Sequence, residues 1–123
     1  MLVSHSDKLA QGLRDLVLQV APGGLAVAAA GGMDDGGLGT SDERVRAAIG
    51  AVDRGAGVVV LADLGSAVLT TVALLEDLAR ADIVLVDTPF VEGAVSAGVI
   101  ASTGADLRTV KAAAEEARTA TKL

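Results

Sequence analysis

The sequence predicts an α/β fold, a mainly parallel central sheet of four or five strands with helices on both faces. Three observations carry this. Short β-branched and aliphatic runs alternate along the chain with stretches of helical periodicity, the pattern of strand–helix–strand units. The run Val58-Val59-Val60-Leu61 has apolar residues for both faces, as a covered parallel strand requires. No linker, low-complexity tract or repeat interrupts the 123 residues, so a single domain over 1–123 is expected.

The first strand is Leu2-Val3-Ser4. It is short for a central strand, and residues upstream of Met1 are expected to complete it. A helix follows over Asp7 to Val20, with Leu9, Leu13, Leu16, Val17 and Val20 at helical spacing. Ala21-Pro22-Gly23-Gly24 ends it. The second strand is Leu25 to Ala29, followed by a Gly-rich turn from Ala30 to Gly39. Thr40 and Glu43 then form a capping-box pattern for a helix whose inner face is Val45, Ala48, Ile49 and Val52.

Gly55-Ala56-Gly57 leads into the third strand, Val58 to Leu61. The third helix spans Ser66 to Ala79, with Val68, Val72, Leu75 and Ala79 as its inner stripe and Leu69 and Leu78 widening it. The fourth strand is Ile83 to Val86, and a helix spans Val91 to Ser102. Asp106 is the N-cap of a last helix bearing Leu107, Val110, Ala114 and Ala117 on one side.

Composition narrows the partners. Phe90 is the sole aromatic residue, so the base-stacking platforms of a nucleic-acid surface are missing. The net charge of −6 disfavours phosphate backbones and anionic membranes and favours a partner with a basic patch. With no cysteine and one histidine, thiolate chemistry and Cys- or His-rich metal sites are excluded. Two stretches, Val58 to Leu75 and Ile83 to Ala101, are apolar enough to test as membrane spans. They hold Asp63, Asp87 and Glu92, and a carboxylate at the membrane centre costs about 3 kcal/mol. No signal peptide is visible, because charges from Asp7 onward break the N-terminal apolar pattern. A cytoplasmic protein without membrane or nucleic-acid partners is expected.

Ligands of open parallel sheets bind beyond the carboxyl ends of the strands. There the sequence places His5-Ser6, the Gly31 to Thr40 loop, Asp63-Leu64-Gly65-Ser66 and Asp87-Thr88-Pro89. His5 is the candidate nucleophile. One imidazole nitrogen can attack phosphorus while the other donates to a carboxylate. A hydrogen-bonded strand-end histidine without a role is the competing reading. Asp63 is the candidate orienting carboxylate and Asp87 its competitor, with an ordinary turn residue as the bland alternative.

Ser6, Thr40, Gly65 and Ser66 are the candidate phosphate-binding residues, through hydroxyls and helix-start N–H groups. Plain N-capping is the alternative for the two serines. The glycine loop lacks both GxGxxG and a following Lys, so it is not read as a nucleotide site. Asp34-Asp35 reads as a solvated turn rather than half a metal site. Glu92 and Gly93 lie beside the same edge, where they could shape a partner surface.

Four segments together resemble one family. They are Val3-Ser4-His5-Ser6, Ala29-Ala30-Gly31-Gly32-Met33-Asp34-Asp35 with Leu38-Gly39-Thr40, Asp63-Leu64-Gly65-Ser66-Ala67, and Pro89-Phe90-Val91-Glu92-Gly93. In this order and spacing they are similar to the mannose-class enzyme IIA domains of the bacterial sugar phosphotransferase system, and most to the branch that donates phosphoryl groups to dihydroxyacetone kinase. The resemblance implies phosphorylation at His5, with Asp63 beside it. The donor would be the phosphorylated histidine phosphocarrier protein, fed ultimately by phosphoenolpyruvate. The acceptor would be ADP bound in a kinase subunit. No metal or further cofactor is implied, and members are usually homodimers.

The chain departs from the family in having fewer residues before Val3 and no fused phosphocarrier-like or enzyme-I-like domain. Three other readings compete. A sugar-transporter enzyme IIA would share the chemistry. A receiver domain is disfavoured because the first strand ends in His5 rather than acidic residues. A non-catalytic binding module is disfavoured by the presence of His5 with Asp63 and Ser66.

Overall fold

The structure, a computed structural model, describes residues 1–21 and 23–123. Four strands form one all-parallel sheet: β1 (Leu2–Ser4), β2 (Ala29–Gly31), β3 (Val58–Ala62) and β4 (Ile83–Leu85), in spatial order β2-β1-β3-β4. Five helices connect and cover them: α1 (Asp7–Val20), α2 (Asp42–Val52), α3 (Ser66–Leu78), α4 (Phe90–Ala101) and α5 (Leu107–Glu116).

Alternation along the strands sends side chains to two cores. Met1, Val3, Val58 and Val60 pack with Val45, Ile49, Ala67 and Leu74 from α2 and α3. Leu2 and Leu61 pack with Leu13, Val17, Ala94, Ala97, Val110 and Ala114 from α1, α4 and α5. The expected fold class is observed, with four strands.

Element boundaries match the expectation closely for α1, β3, α3 and α4, but β2 does not. It covers Ala29–Gly31 rather than Leu25 to Ala29. The reason is the partner. Leu2 pairs with Ala29, so β1 offers no ladder to the residues before Ala28. Pro22, expected to stop α1, lies outside the described residues. The Ala21 N–H still bonds back to the Val17 carbonyl.

Two local expectations are corrected. The N-cap of α2 is Ser41, whose side chain accepts from the Arg44 N–H, and not Thr40. Thr40 instead bridges to Gly32 and meets Ser66. The inner face of α3 is also shifted. Ala67, Thr71 and Leu74 are buried, whereas Val68, Leu69 and Val72 are exposed. This helix is apolar on most sides, so periodicity does not set its phase. The small Ala67 and Thr71 allow it to approach the sheet closely. For the same reason Ala10 faces inward on α1, beside Leu13 and Val17, while Leu9, Leu16 and Val20 face solvent.

Candidate active site at the carboxyl edge of the sheet

The chain leaves β1 for β2 on one side of the sheet and reaches β3 on the other. The crevice between β1 and β3 is therefore the topological switch point, where parallel sheets bind ligands. His5 follows β1 and Asp63 follows β3, so neighbouring strands deliver the two groups to one place.

The His5 Nδ1 lies 2.8 Å from the Asp63 Oδ2. The same Oδ2 accepts from the Ser4 hydroxyl at 2.6 Å, and the Ser4 oxygen accepts from the Ser6 N–H at 2.9 Å. The other oxygen, Oδ1, accepts from the Leu64 N–H at 2.7 Å and from the His5 N–H at 3.4 Å. The Asp63 side chain is 5% exposed and the His5 side chain 31%. Burial alone would push the Asp63 carboxyl up. Donation from Ser4, Leu64 and His5 outweighs it and holds the group below the usual carboxylate value. An ionised Asp63 only accepts, so Nδ1 carries a proton, and in the neutral ring that tautomer leaves the Nε2 lone pair free.

The other loops are stitched to this pair. The Gly39 N–H donates to the His5 carbonyl at 2.8 Å. Thr40 Oγ1 and Ser66 Oγ are 3.0 Å apart. Gly65 is the N-cap of α3, at φ +43°, a backbone state that favours glycine. No side chain caps that helix end. The Ala67 N–H in its first turn donates to the Leu64 carbonyl at 3.0 Å, and the Ser66 and Val68 N–H groups are suited to anion oxygens. Gly31 fits because a Cβ there would strike the Ser6 carbonyl, so β2 and the start of α1 can pass close.

Of the predicted residues, His5, Asp63 and Ser6 share one hydrogen-bond network through Ser4, Thr40 and Ser66 meet each other, and Gly65 follows Asp63 in the same loop. Ser6 also caps α1, accepting from the Leu9 N–H at 3.3 Å. Asp87 is exposed at the end of β4, one strand farther out, and Asp63 is the carboxylate on the ring. Asp34 pairs with Arg44, and Asp35 accepts from the Gly37 N–H, as a solvated turn would. Glu92 pairs with Lys122. Gly93 is buried against Thr88 and offers no partner surface.

Ser4 was not foreseen. A polar side chain at a fully covered strand position must find a partner, and that was the available signal. Also unforeseen is the exposure of large apolar side chains on the site's loops and on α3: Met33, Leu38, Leu64, Val68 and Leu69.

The chain resembles known proteins in sequence and in fold. The phosphotransferase subunit DhaM of the PTS-dependent dihydroxyacetone kinase of Lactococcus lactis subsp. lactis (strain IL1403) is 32% identical over 111 residues, covering 90% of this chain and 88% of that one. The DhaM phosphoryl donor subunit of the PEP-dependent dihydroxyacetone kinase of Escherichia coli (strain K12) is 37% identical over 116 residues, covering 89% of this chain but 25% of that longer one. The crystal structure of the unknown-function protein EF1359 matches with a TM-score of 0.84 and 32% identity, covering 94% of this chain and 90% of its own. Residues 1–111 match the family EIIA-man, described as the PTS system fructose IIA component, and the chain therefore belongs to the mannose-type enzyme IIA family of the phosphotransferase system.

Proposed function

We propose that the protein is a phosphohistidine carrier, the phosphoryl-donor component of a dihydroxyacetone kinase. The Nε2 lone pair of His5 attacks the phosphorus held on a histidine of the phosphocarrier protein. A P–Nε2 bond forms as the donor's P–N bond breaks. The Nδ1 proton stays on the ring, where Asp63 stabilises the positive charge that develops. In the second half, a terminal oxygen of ADP, bound in a partner kinase subunit, attacks the same phosphorus. The P–Nε2 bond breaks and the neutral ring returns. The N–H groups at the start of α3, with Ser66 and Thr40, are placed to meet the phosphoryl oxygens.

One observation carries this reading. Asp63 occupies Nδ1 from the buried side while the ring remains partly exposed. The exposed apolar side chains on these loops support a protein as donor and acceptor. The names of the relatives support dihydroxyacetone kinase as the destination.

The test is to incubate the domain with phosphoenolpyruvate, enzyme I and the histidine phosphocarrier, then weigh intact protein and peptides at mildly alkaline pH. One acid-labile phosphate on the peptide containing His5 is expected. It should discharge when an ADP-loaded kinase subunit is added. Discharge to a sugar-transporter subunit instead would move the protein to the transport branch. No loading, with a control enzyme IIA loading normally, would leave a binding module.

A further inference from the structure

The Gly31 to Thr40 loop touches the candidate site at two points. Its Gly39 N–H donates to the His5 carbonyl at 2.8 Å, and Thr40 Oγ1 lies 3.0 Å from Ser66 Oγ. Before it reaches them, the loop doubles back on itself. The Met33 N–H donates to the Gly37 carbonyl and the Gly36 N–H to the Met33 carbonyl, both at 2.9 Å. A Cβ on Gly39 would strike the Met33 side chain, so the two limbs touch. A shift of the first limb is therefore passed to Gly39, and from Gly39 to the backbone of His5.

Residues 33–38 are exposed, so burial does not fix them. Arg44 grips the loop from α2. Its Nη1 donates to the Gly31 carbonyl at 3.3 Å, and its Nε donates to Asp34 Oδ1 at 3.2 Å. Since β2 is an edge strand, the guanidinium takes a carbonyl that no outer strand receives. The Arg44 N–H donates to the Ser41 hydroxyl at 3.3 Å. One residue thus meets the loop where it leaves β2, on its outer limb and where it enters α2. A guanidinium can hold two acceptors at once in a fixed fork, whereas an ammonium is a point charge.

We propose that Arg44 is a positioning residue for phosphoryl transfer. By clasping Gly31 and Asp34 it sets the loop against His5 and Ser66, and so fixes where the phosphoryl group meets the ring. This rests on the carrier reading of His5. The ion pair itself is open to solvent, with the Arg44 side chain 39% exposed and Asp34 73%, and such pairs add little to stability. The contribution of Arg44 therefore lies in geometry, where a small misplacement of a reacting group costs far more in rate than in stability.

Arg44→Gln and Arg44→Lys test this. Both replacements have helix propensities near that of arginine, so α2 and its Ser41 cap are kept. Arg44→Gln should lower the limiting rate of phosphoryl uptake by about fivefold or more. Hydrogen exchange at the Gly39 amide should quicken by a similar factor, while Tm falls by about 3 °C or less. Arg44→Lys keeps the charge but not the fork, and should recover only part of the rate. Leu38→Ser, on the same loop but 75% exposed, should raise the half-saturating donor concentration and spare the limiting rate. An unchanged limiting rate with unchanged Gly39 exchange in Arg44→Gln would overturn the proposal. So would a loss of rate that tracks Tm across both variants, which would make Arg44 a stabiliser of the fold alone. Failure of the parent protein to load would overturn the carrier reading, whereas normal loading by both parent and variant would overturn this proposal alone.

Discussion

Ser4 donates its hydroxyl proton to Asp63 and accepts from the Ser6 N–H, and so ties the two residues flanking His5 to one carboxylate. Removing it leaves Asp63 buried with one donor fewer. A hydrogen bond to a charged group is worth roughly 1.5–3 kcal/mol. Ser4→Ala should therefore slow phosphoryl uptake by about tenfold or more, with the ring's tautomer mixture, read by nitrogen NMR, shifting away from the Nδ1–H form. Unchanged tautomers with slowed uptake would assign Ser4 to packing alone. His5→Ala should abolish uptake with little change in Tm, because the ring is partly exposed. For Asp63, the folded carboxyl lies below its unfolded value of 3.8. Its contribution to stability is present above that pH and is lost as pH falls through the folded value. Asp63→Asn should flatten thermal stability below pH 3.8 and slow transfer at neutral pH. His5 and Asp63 were readable in the sequence because each closes a strand at one sheet edge. Ser4 was hidden in an apolar strand, where its partner lies 59 residues away.

Among the elements, α3 shows where periodicity stops informing. Alanine, valine and leucine surround it, so several phases bury apolar area equally well. Contact with the sheet selects the narrow side, Ala67 and Thr71, and leaves Val68 and Leu69 to solvent. Leu69, 72% exposed, can then be changed cheaply. Leu69→Ser should alter stability by less than about 0.5 kcal/mol yet weaken loading by the phosphocarrier, seen as a higher half-saturating donor concentration. Leu74, 1% exposed, is the contrast. Leu74→Ala should cost about 2–5 kcal/mol in denaturant unfolding and leave the loading chemistry intact at low temperature. The strands were legible wherever their partners are long enough. The run Leu25 to Ala28 has strand composition, but a strand exists only as half of a pair, and β1 does not reach it.

On the scale of the whole molecule, the buried Met1 amine imposes a pH dependence of its own. Its folded value, about 5, lies below its unfolded value, 8.0. The unfolded chain thus binds more protons between these limits, and stability rises with pH across that window. Tm should be highest above pH 8, fall as pH drops from 8 to 5, and fall again below 3.8 as Asp63 protonates. Acetylating the Met1 amine should remove the first of these two falls. The architecture itself, a parallel sheet between helical layers, was legible from alternation alone, because it depends on pattern and not on exact register.

The bonds that assemble the candidate site join distant parts of the chain: Ser4 and His5 reach Asp63 across 59 and 58 residues. Such pairings form only after the intervening chain has been ordered, and parallel sheets built on them fold slowly. A ribosome that has made β1, α1 and β2 has already made the histidine, yet has no carboxylate to set beside it. On the proposed carrier function, reactivity is expected only once the third strand has docked. In a refolding experiment, helical signal should return first and phosphate uptake last, so the chemistry reports the completion of folding.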